Sequence, residues 1–473
     1  MFVSFLLLLL IPLGGLSYVP VDASLTGEGI RGFRALEASE VAMVRGKDHW
    51  VTVFTGWKAR KTAIYARIRL VEEEKWSKPV RLSAPEARFD SLPFLWVSGN
   101  GELVHCVWQS KDKDKLFRAR YSVMNPISGK WSLPVWIKGA IGQQRNSVLL
   151  TGDSKGNLFV YSHNTQDFNP YSKLQLFASQ DGGRSWQKKE PFPSLVTEKP
   201  HSFFSPRLVV SNSDELHLLT LRTQGKTTVF LNSSLDSGDS WSVPRALSET
   251  PSARISNPHL WTDGSVLQAL WVDEPGFGSR RIKHLKGAFW PIKLKDQKIK
   301  RFLIAEIHAV RDFHYLPWED SHRVGVTWLE RKKRGPSFIR QRVTIEEGQL
   351  NLSDISKVAE SREGFHFEQM STSSNPNVLL VTEKKIVTPP SLLACANQEN
   401  FTWECEKIHT TSGDSDILSP MLVAEGQGSQ FRVVFHEAKL KFHIMQVILD
   451  TTIRVGKLRV NRGGGETSDE GVN

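Results

Sequence analysis

The sequence predicts an all-β protein, a β-propeller built from four-stranded blades. Three observations support this prediction: apolar runs of strand length recur at a nearly constant spacing, clusters of Gly, Asn, Asp and Pro separate them, and almost no segment has the apolar period of a helix. The composition is that of a globular protein, because 40% of the 473 residues are hydrophobic and 23% are charged. Three cysteines are too few for a disulfide scaffold.

The repeated apolar runs give the number of blades. A Ser-Pro or Asn-Pro pair opens several units, as at Ser205-Pro206 and Asn257-Pro258, and short apolar runs with turns between them follow. The repeat predicts eight blades of about 54 residues, with six or seven as alternatives if two of the runs are assigned wrongly. The centres of the runs lie 51 to 58 residues apart, at Thr52, Cys106, Val160, Leu218, Ala269, Val326, Leu380 and Val434.

Two neighbouring units contain the same eight-residue turn, S-x-D-x-G-x-x-W. Its Asp can accept backbone N–H bonds within a tight turn, its Gly supplies a positive φ, and its Trp fills the gap between blades. We therefore interpret these residues as structural. They are Ser179, Asp181, Gly183 and Trp186 in one unit and Ser234, Asp236, Gly238 and Trp241 in the next.

This turn resembles the Asp box (the BNR repeat) of sialidases and their relatives. The resemblance covers the repeated region from Arg34 to Val460 and implies a β-propeller with the Asp boxes on the outer rim, away from the central axis. Sialidase propellers usually have six blades, fewer than the repeat predicts here. Asp boxes also occur in other glycosidases, in lectins and in receptors, so the resemblance implies a fold more strongly than a function.

The N-terminal residues predict export. Residues 1–16 form an apolar run shorter than the ~20 residues of a membrane span, and Val21 and Ala23 suit cleavage before Ser24. An uncleaved membrane anchor is the alternative. We expect a signal peptide at 1–23, a propeller at 24–460 and a disordered Gly-rich tail at 461–473. The mature protein would then be secreted or periplasmic, with no integral membrane segment.

The cysteines fit this compartment. Cys395 and Cys405 flank a polar turn and are candidates for a disulfide across two strands. Cys106 lies in an apolar run, which favours a buried free thiol.

Arginines recur where the chain leads into the innermost strand of a blade. These loops surround the central mouth of a propeller, which is the ligand-binding face in the sialidase relatives. Guanidinium groups converging on a concave mouth would bind a carboxylate, sulfate or phosphate group in a bidentate manner. The alternative is that these arginines are solvated loop residues. The candidate ligand-binding residues are Arg34, Arg88, Arg145, Arg207, Arg254 and Arg311.

Groups suited to acid–base catalysis lie at the same phase of the repeat. Asp90 and Asp312 are carboxylates beside these arginines, and salt bridges to them are the alternative role. His314 and Tyr315 form the most reactive pair by residue type, although the FHYLPW segment also fits half-buried packing. The catalytic residues therefore stay open, and the sequence predicts no metal site and no cofactor.

Comparison with the sialidase motifs leaves catalysis unproven. The family's F/Y-R-I-P motif begins a three-arginine clamp on the substrate carboxylate, and here Phe33 and Arg34 match while Ala35 and Leu36 do not. No Asp lies between Asp48 and Asp90, where the resemblance would place the acid/base residue. Tyr315 is the last tyrosine of the chain, although the family's nucleophilic tyrosine comes late.

Three classes of function remain. The sequence favours a secreted propeller that recognises an acidic glycan or glycoconjugate at an Arg-rich mouth, in keeping with the net charge of +11. The first alternative is a glycan-degrading enzyme, either an exo-α-sialidase-type glycosidase or a uronate polysaccharide lyase using His314, Tyr315 and Arg311. The second is a protein-interaction propeller. Nucleic acid is not an expected partner, because the basic runs lie in separate loops, and the oligomeric state stays open.

Overall fold

The computed structural model describes most of the chain, and every regular element in that part is a β-strand, thirty-five in all. The described residues are 15–22, 31–32, 41–58, 61–73, 75–87, 89–111, 117–125, 127–137, 147–163, 175–190, 202–224, 226–249, 251–262, 264–275, 282–292, 299–308, 310–319, 323–332, 336–346, 349–361, 366–372, 378–385, 388–397, 403–411, 415–424, 430–443 and 446–461.

The strands form eight successive antiparallel units, numbered here from the N-terminal side. Unit 1 contains β3 (Val41–Arg45), β4 (His49–Lys58), β5 (Lys61–Leu70) and β6 (Val80–Arg81). Unit 2 contains β7 (Asp90–Val97), β8 (Val104–Lys111), β9 (Phe117–Asn125), β10 (Lys130–Trp131) and β11 (Val135–Trp136). Unit 3 contains β12 (Ser147–Gly152), β13 (Leu158–His163), β14 (Leu176–Ser179) and β15 (Gln187–Lys189). Unit 4 contains β16 (Ser202–Val210), β17 (Leu216–Gln224), β18 (Lys226–Ser234) and β19 (Arg245–Ala246).

The second half repeats the pattern with longer strands. Unit 5 contains β20 (Arg254–Thr262), β21 (Val266–Glu274), β22 (Ile282–Pro291) and β23 (Lys300–His308). Unit 6 contains β24 (Val310–Glu319), β25 (Arg323–Lys332), β26 (Ser337–Glu346), β27 (Gln349–Leu350) and β28 (Ser356–Glu360). Unit 7 contains β29 (His366–Thr372), β30 (Val378–Lys385), β31 (Thr388–Asn397) and β32 (Trp403–Thr410). Unit 8 contains β33 (Ser415–Ala424), β34 (Gln430–His443), β35 (Gln446–Asn461) and β1 (Gly15–Asp22), and β2 (Arg31–Gly32) lies between units 8 and 1.

The predicted β-propeller is confirmed. All eight centres of the sequence repeat lie on the second strand of a unit, from Thr52 on β4 to Val434 on β34. The strands belong to seven sheets, because β2 pairs with both β35 and β4 and so joins units 8 and 1 into one nine-stranded sheet. Counted as hydrogen-bonded sheets, the propeller has seven blades, a number within the predicted range of six to eight.

Apolar clusters between neighbouring units hold the ring together. Every junction has one, and the cluster between units 8 and 1 contains Met43, Trp50 and Phe54 packed with Val434. The second strands are mainly apolar because both of their faces are covered by neighbouring units. This packing explains why the repeat is easiest to see in those strands.

The N-terminal strand completes the last unit. β1 pairs antiparallel with β35 from Gly15 opposite Asn461 to Asp22 opposite Val455. This strand lies inside the predicted signal peptide at 1–23, whose other residues are outside the described part. Cleavage after Ala23 would remove β1 and leave the edge of β35 from Val455 to Asn461 unpaired. Most of the predicted tail at 461–473 is also outside the described residues. Within the part of the chain that the structure describes, no helix is long and apolar enough to cross a membrane.

The two S-x-D-x-G-x-x-W turns have the same hydrogen bonds. In the first, the Ser179 hydroxyl donates to the Asp181 carboxylate at 2.8 Å and accepts the Gly183 amide at 2.8 Å. The Trp186 indole donates to the Gly183 carbonyl at 3.1 Å, which fixes the ring under the turn. Ser234, Asp236, Gly238 and Trp241 repeat these contacts between β18 and β19.

The carboxylates of Asp181 and Asp236 both accept hydrogen bonds from within their own turns. The side chain of Ser185 donates to Asp181, and its backbone amide does so at 2.9 Å. Ser240 does the same for Asp236. Hydrogen bonds from these serines hold the pKa of both Asp side chains well below the ordinary range. The turns therefore act as folding devices.

The Ser205-Pro206 and Asn257-Pro258 pairs lie inside the innermost strands β16 and β20, so the prediction that they open these two units was wrong. The pairing register shifts at these pairs, between Phe204 and Arg207 on β16 and between Ser256 and His259 on β20. A proline has no amide to give to a ladder, so within a sheet it is confined to bulges and edges. The residue before the proline has a positive φ, 51° at Ser205 and 50° at Asn257.

The cysteine predictions are confirmed. Cys395 on β31 and Cys405 on β32 are paired in register and form a disulfide, with their Cα atoms 4.0 Å apart. Cys106 on β8 is a buried free thiol, and burial raises its pKa.

Candidate functional site

An arginine on an innermost strand is the centre of the candidate site. Arg207 follows the Ser205-Pro206 bulge of β16 and is half-buried. Its Nη1 donates to the Pro206 carbonyl at 2.9 Å, within the same bulge. β16 is the innermost strand of unit 4, and the innermost strands of a propeller surround its central channel.

The charge of Arg207 reaches titratable groups from three other units. Burial lowers the pKa of His259 on β20 to about 4, with a smaller contribution from the Arg207 charge. Burial raises the pKa of Tyr315 on β24 and of Tyr161 on β13, while the same charge opposes the rise. Arg207 of unit 4 thus interacts electrostatically with an imidazole of unit 5 and with phenols of units 3 and 6. We call these four residues the axial cluster.

Tyr315 is fixed across the junction between two units. Its ring packs on the apolar cluster between units 5 and 6, and its hydroxyl donates to the carbonyl of Asn257. Asn257 is the residue of the β20 bulge with the positive φ. One bulge therefore both orients His259, two residues later, and anchors Tyr315 from the next unit.

The predicted ligand-binding arginines fall into three groups. Arg207 belongs to the axial cluster, and Arg254 is exposed as the first residue of β20. Arg311 is on β24, where the description covers its backbone alone. Arg34, Arg88 and Arg145 lie outside the described residues.

The predicted catalytic candidates have different surroundings. Asp90, the first residue of β7, is fully buried and accepts hydrogen bonds from Trp108 Nε1 at 2.8 Å and from Ser110 Oγ at 2.5 Å. In this position its carboxylate ties β7 to β8. Asp312 and His314 are on β24, where the backbone alone is described.

Sequence reasoning missed His259 and Tyr161. Both belong to elements that it found, His259 directly after the Asn257-Pro258 pair and Tyr161 beside a repeat centre. One sequence signal could have found His259. A charged or titratable residue follows the proline pair closely in two successive units, Arg207 in unit 4 and His259 in unit 5. No group of three His, Cys, Asp or Glu residues that could hold a metal ion occurs among the residues that the structure describes.

Buried histidines make the stability of the protein dependent on pH. Burial lowers the pKa of His105 to about 4, so this ring stays neutral in the folded protein while it protonates near pH 6.5 when unfolded. The unfolded chain therefore binds more protons between pH 4 and 6.5, and the free energy of unfolding must fall as the pH is lowered through this range. We expect His105→Gln to flatten this dependence in urea titrations at several pH values. His284→Gln, which changes a half-buried histidine on β22, is the matched control, and an equal effect of both variants would contradict the assignment.

The sheets define a β-propeller, and the axial cluster is its candidate site. No protein-family model matches the chain, and no curated protein does. The chain is similar to the WD40 domain of SCAP from fission yeast, at a TM-score of 0.52 and 10% identity over 95% of this chain and 99% of that one. It is also similar to polysaccharide lyase Uly1, at a TM-score of 0.46 and 10% identity over 78% and 89%. For the α-L-arabinofuranosidase Arb93A from Fusarium graminearum, the TM-score is 0.36 and the identity 11% over 66% and 92%. The first similarity supports the fold, and the other two are too weak to add to it.

Proposed function

We propose that this protein is an exported, sialidase-like Asp-box propeller that binds an acidic glycan or glycoconjugate in its central channel. The axial cluster carries the proposal, because Arg207 offers a half-buried positive charge next to polar and aromatic groups from three other units. A half-buried guanidinium binds a carboxylate or sulfate more strongly than an exposed one, since less water competes for it.

Other features support parts of this proposal. The net charge of +11 favours an anionic ligand and speeds its diffusion to the protein. The exposed Arg254, at the start of β20, would be a second contact for a chain longer than one sugar. The two S-x-D-x-G-x-x-W turns support the sialidase-like classification, and the disulfide supports export.

A second candidate function, cleavage of uronate chains by elimination, is favoured by the neutral His259. A neutral imidazole can take the proton from the carbon next to a carboxylate that Arg207 holds. The electron pair of that C–H bond then forms a C=C bond as the glycosidic C–O bond breaks. Tyr315 keeps its proton at neutral pH and could return one to the leaving oxygen after releasing the Asn257 carbonyl.

The test is a panel of sialosides, uronate polymers and sulfated chains incubated with the purified protein. We expect retention of one acidic class on the protein, measured by calorimetry, and no retention of the neutral counterparts. Ultraviolet absorbance from a new C=C bond would establish elimination, and release of free sialic acid would establish hydrolysis. Equal affinity for acidic and neutral glycans would overturn the proposal.

A further inference from the structure

A cavity lies between units 2 and 3, and none of its lining residues belongs to the axial cluster. Its volume is about 870 Å³, within the range of small-molecule sites. It is lined by the turns that follow β7 and β12 and by the S-x-D-x-G-x-x-W turn after β14. In antiparallel units these turns lie on the face opposite the loops that lead into the innermost strands. The cavity and the start of β20 with Arg254 are therefore on different faces.

The walls of the cavity are mainly apolar. Trp96, Trp131, Leu103, Val123, Met124 and Leu158 line it. The rim continues as apolar surface, because Leu133 is 87% exposed. A large apolar side chain held in solvent beside an apolar cavity is typical of a binding surface.

The acidic groups of the lining are already occupied. Each oxygen of Asp153 accepts a hydrogen bond within its own turn, from the Lys155 and Asn157 amides and from Asn157 Nδ2. Asp181 is held in the same way by Ser179 and Ser185. Neither carboxylate therefore attracts a cationic ligand strongly.

Three side-chain donors of the lining, in contrast, have no partner in the described part of the chain. Trp131 Nε1 is a buried donor without a hydrogen-bond partner in the described part of the chain. Lys130 and Arg184 are exposed at the rim, and neither has an ion-pair partner among the described residues. A buried donor left unpaired costs about 1–3 kcal/mol, which a ligand acceptor would recover.

We propose that this cavity binds a small amphiphile, an apolar body with one carboxylate, as in a fatty acid. The apolar body covers Trp96 and Leu133, and the carboxylate faces Trp131 Nε1, Lys130 and Arg184. This site does not depend on the proposed function, because it shares no residue with the axial cluster.

The experiment uses laurate as the probe, below its critical micelle concentration. Dodecanol, which has the same chain length and no charge, is the control ligand. Calorimetry on the full chain should give saturable binding of one laurate. The pair Lys130→Gln and Arg184→Gln should weaken laurate about tenfold and leave dodecanol unchanged. Trp131→Phe keeps a ring but removes the indole donor, and it should weaken laurate several-fold.

The matched control is the pair Lys226→Gln and Arg245→Gln, which removes the same charge from exposed positions of unit 4. It should leave laurate binding unchanged, and thermal melting should show all variants folded. Absence of saturable laurate binding would overturn the proposal, and so would equal weakening by the control pair. If the cavity bound an acidic aromatic peptide and no laurate, the amphiphile site would be rejected in favour of a protein-docking site.

Discussion

Replacing Arg207 with Gln is expected to reduce the affinity for the acidic glycan about a hundredfold while the protein stays folded. The guanidinium is half-buried, so the ligand's anionic group would lose a charge-assisted contact from which water is largely excluded. The hydrogen bond of Arg207 to the Pro206 carbonyl lies within one bulge, so its loss should change the melting temperature by only a few degrees. Calorimetry with the retained glycan and thermal melting measure the two effects.

Two controls separate this result from a general loss of positive charge. Arg245→Gln removes an exposed arginine of unit 4 and should leave affinity unchanged, whereas Arg254→Gln should weaken binding less than Arg207→Gln does. Arg207→Gln should also raise the pKa of His259, since the Arg207 charge helps to hold that pKa down. If the glycan affinity stayed unchanged while the pKa of His259 rose, the glycan would not bind at Arg207. The electrostatic interaction between Arg207 and His259 would still be supported.

Gly183→Ala is expected to destabilise the protein by about 3–5 kcal/mol, the largest effect of a single methyl group that we foresee. The backbone of Gly183 has φ = 89°, and an added Cβ would lie 2.1 Å from the Tyr121 ring. Tyr121 cannot move freely, because its hydroxyl is 2.7 Å from His105 Nδ1 and donates to the Gly182 carbonyl at 3.2 Å. Urea unfolding would measure the loss.

Two other glycines serve as controls that separate the steric clash with Tyr121 from the cost of a side chain at positive φ. Gly182→Ala also introduces a side chain at positive φ, 69°, but nothing lies within 4 Å of the new Cβ. Gly238→Ala, at the equivalent position of the second turn with φ = 88°, meets atoms no nearer than 3.5 Å. Both should cost about 1 kcal/mol. A cost for Gly183→Ala no greater than theirs would show that Tyr121 moves aside easily.

The repeat was sufficient to predict the propeller because each second strand is buried on both faces. Such strands read as continuous apolar runs, and Trp50, Trp108 and Trp328 mark three of them. The turn at Ser179 to Trp186 was equally readable, since its hydrogen bonds join residues close together in sequence. The joining of units 8 and 1 by β2 was beyond sequence reasoning, because a two-residue strand has no pattern of its own.

The axial cluster was predicted only in part. Arg207 and Tyr315 were among the predicted candidates because arginines and reactive residues recur at one phase of the repeat. His259 was missed because the Asn257-Pro258 pair was interpreted as the start of a unit, when it is a bulge within the strand. Asp90 shows the opposite error. Its position in the repeat predicted a residue at the central mouth, but Trp108 and Ser110 hold its carboxylate in the interior.

The apolar junction between units 8 and 1 has a consequence for how the chain folds. It joins Phe54 to Val434, about 380 positions apart, so the contact can form only after nearly the whole chain is available. Closing so long a loop costs conformational entropy that no local contact offsets, which makes ring closure a late and slow event. A chain that ends before unit 8 would expose the apolar faces of units 1 and 7. Incomplete chains would therefore aggregate or be degraded, whereas a closed ring would unfold slowly.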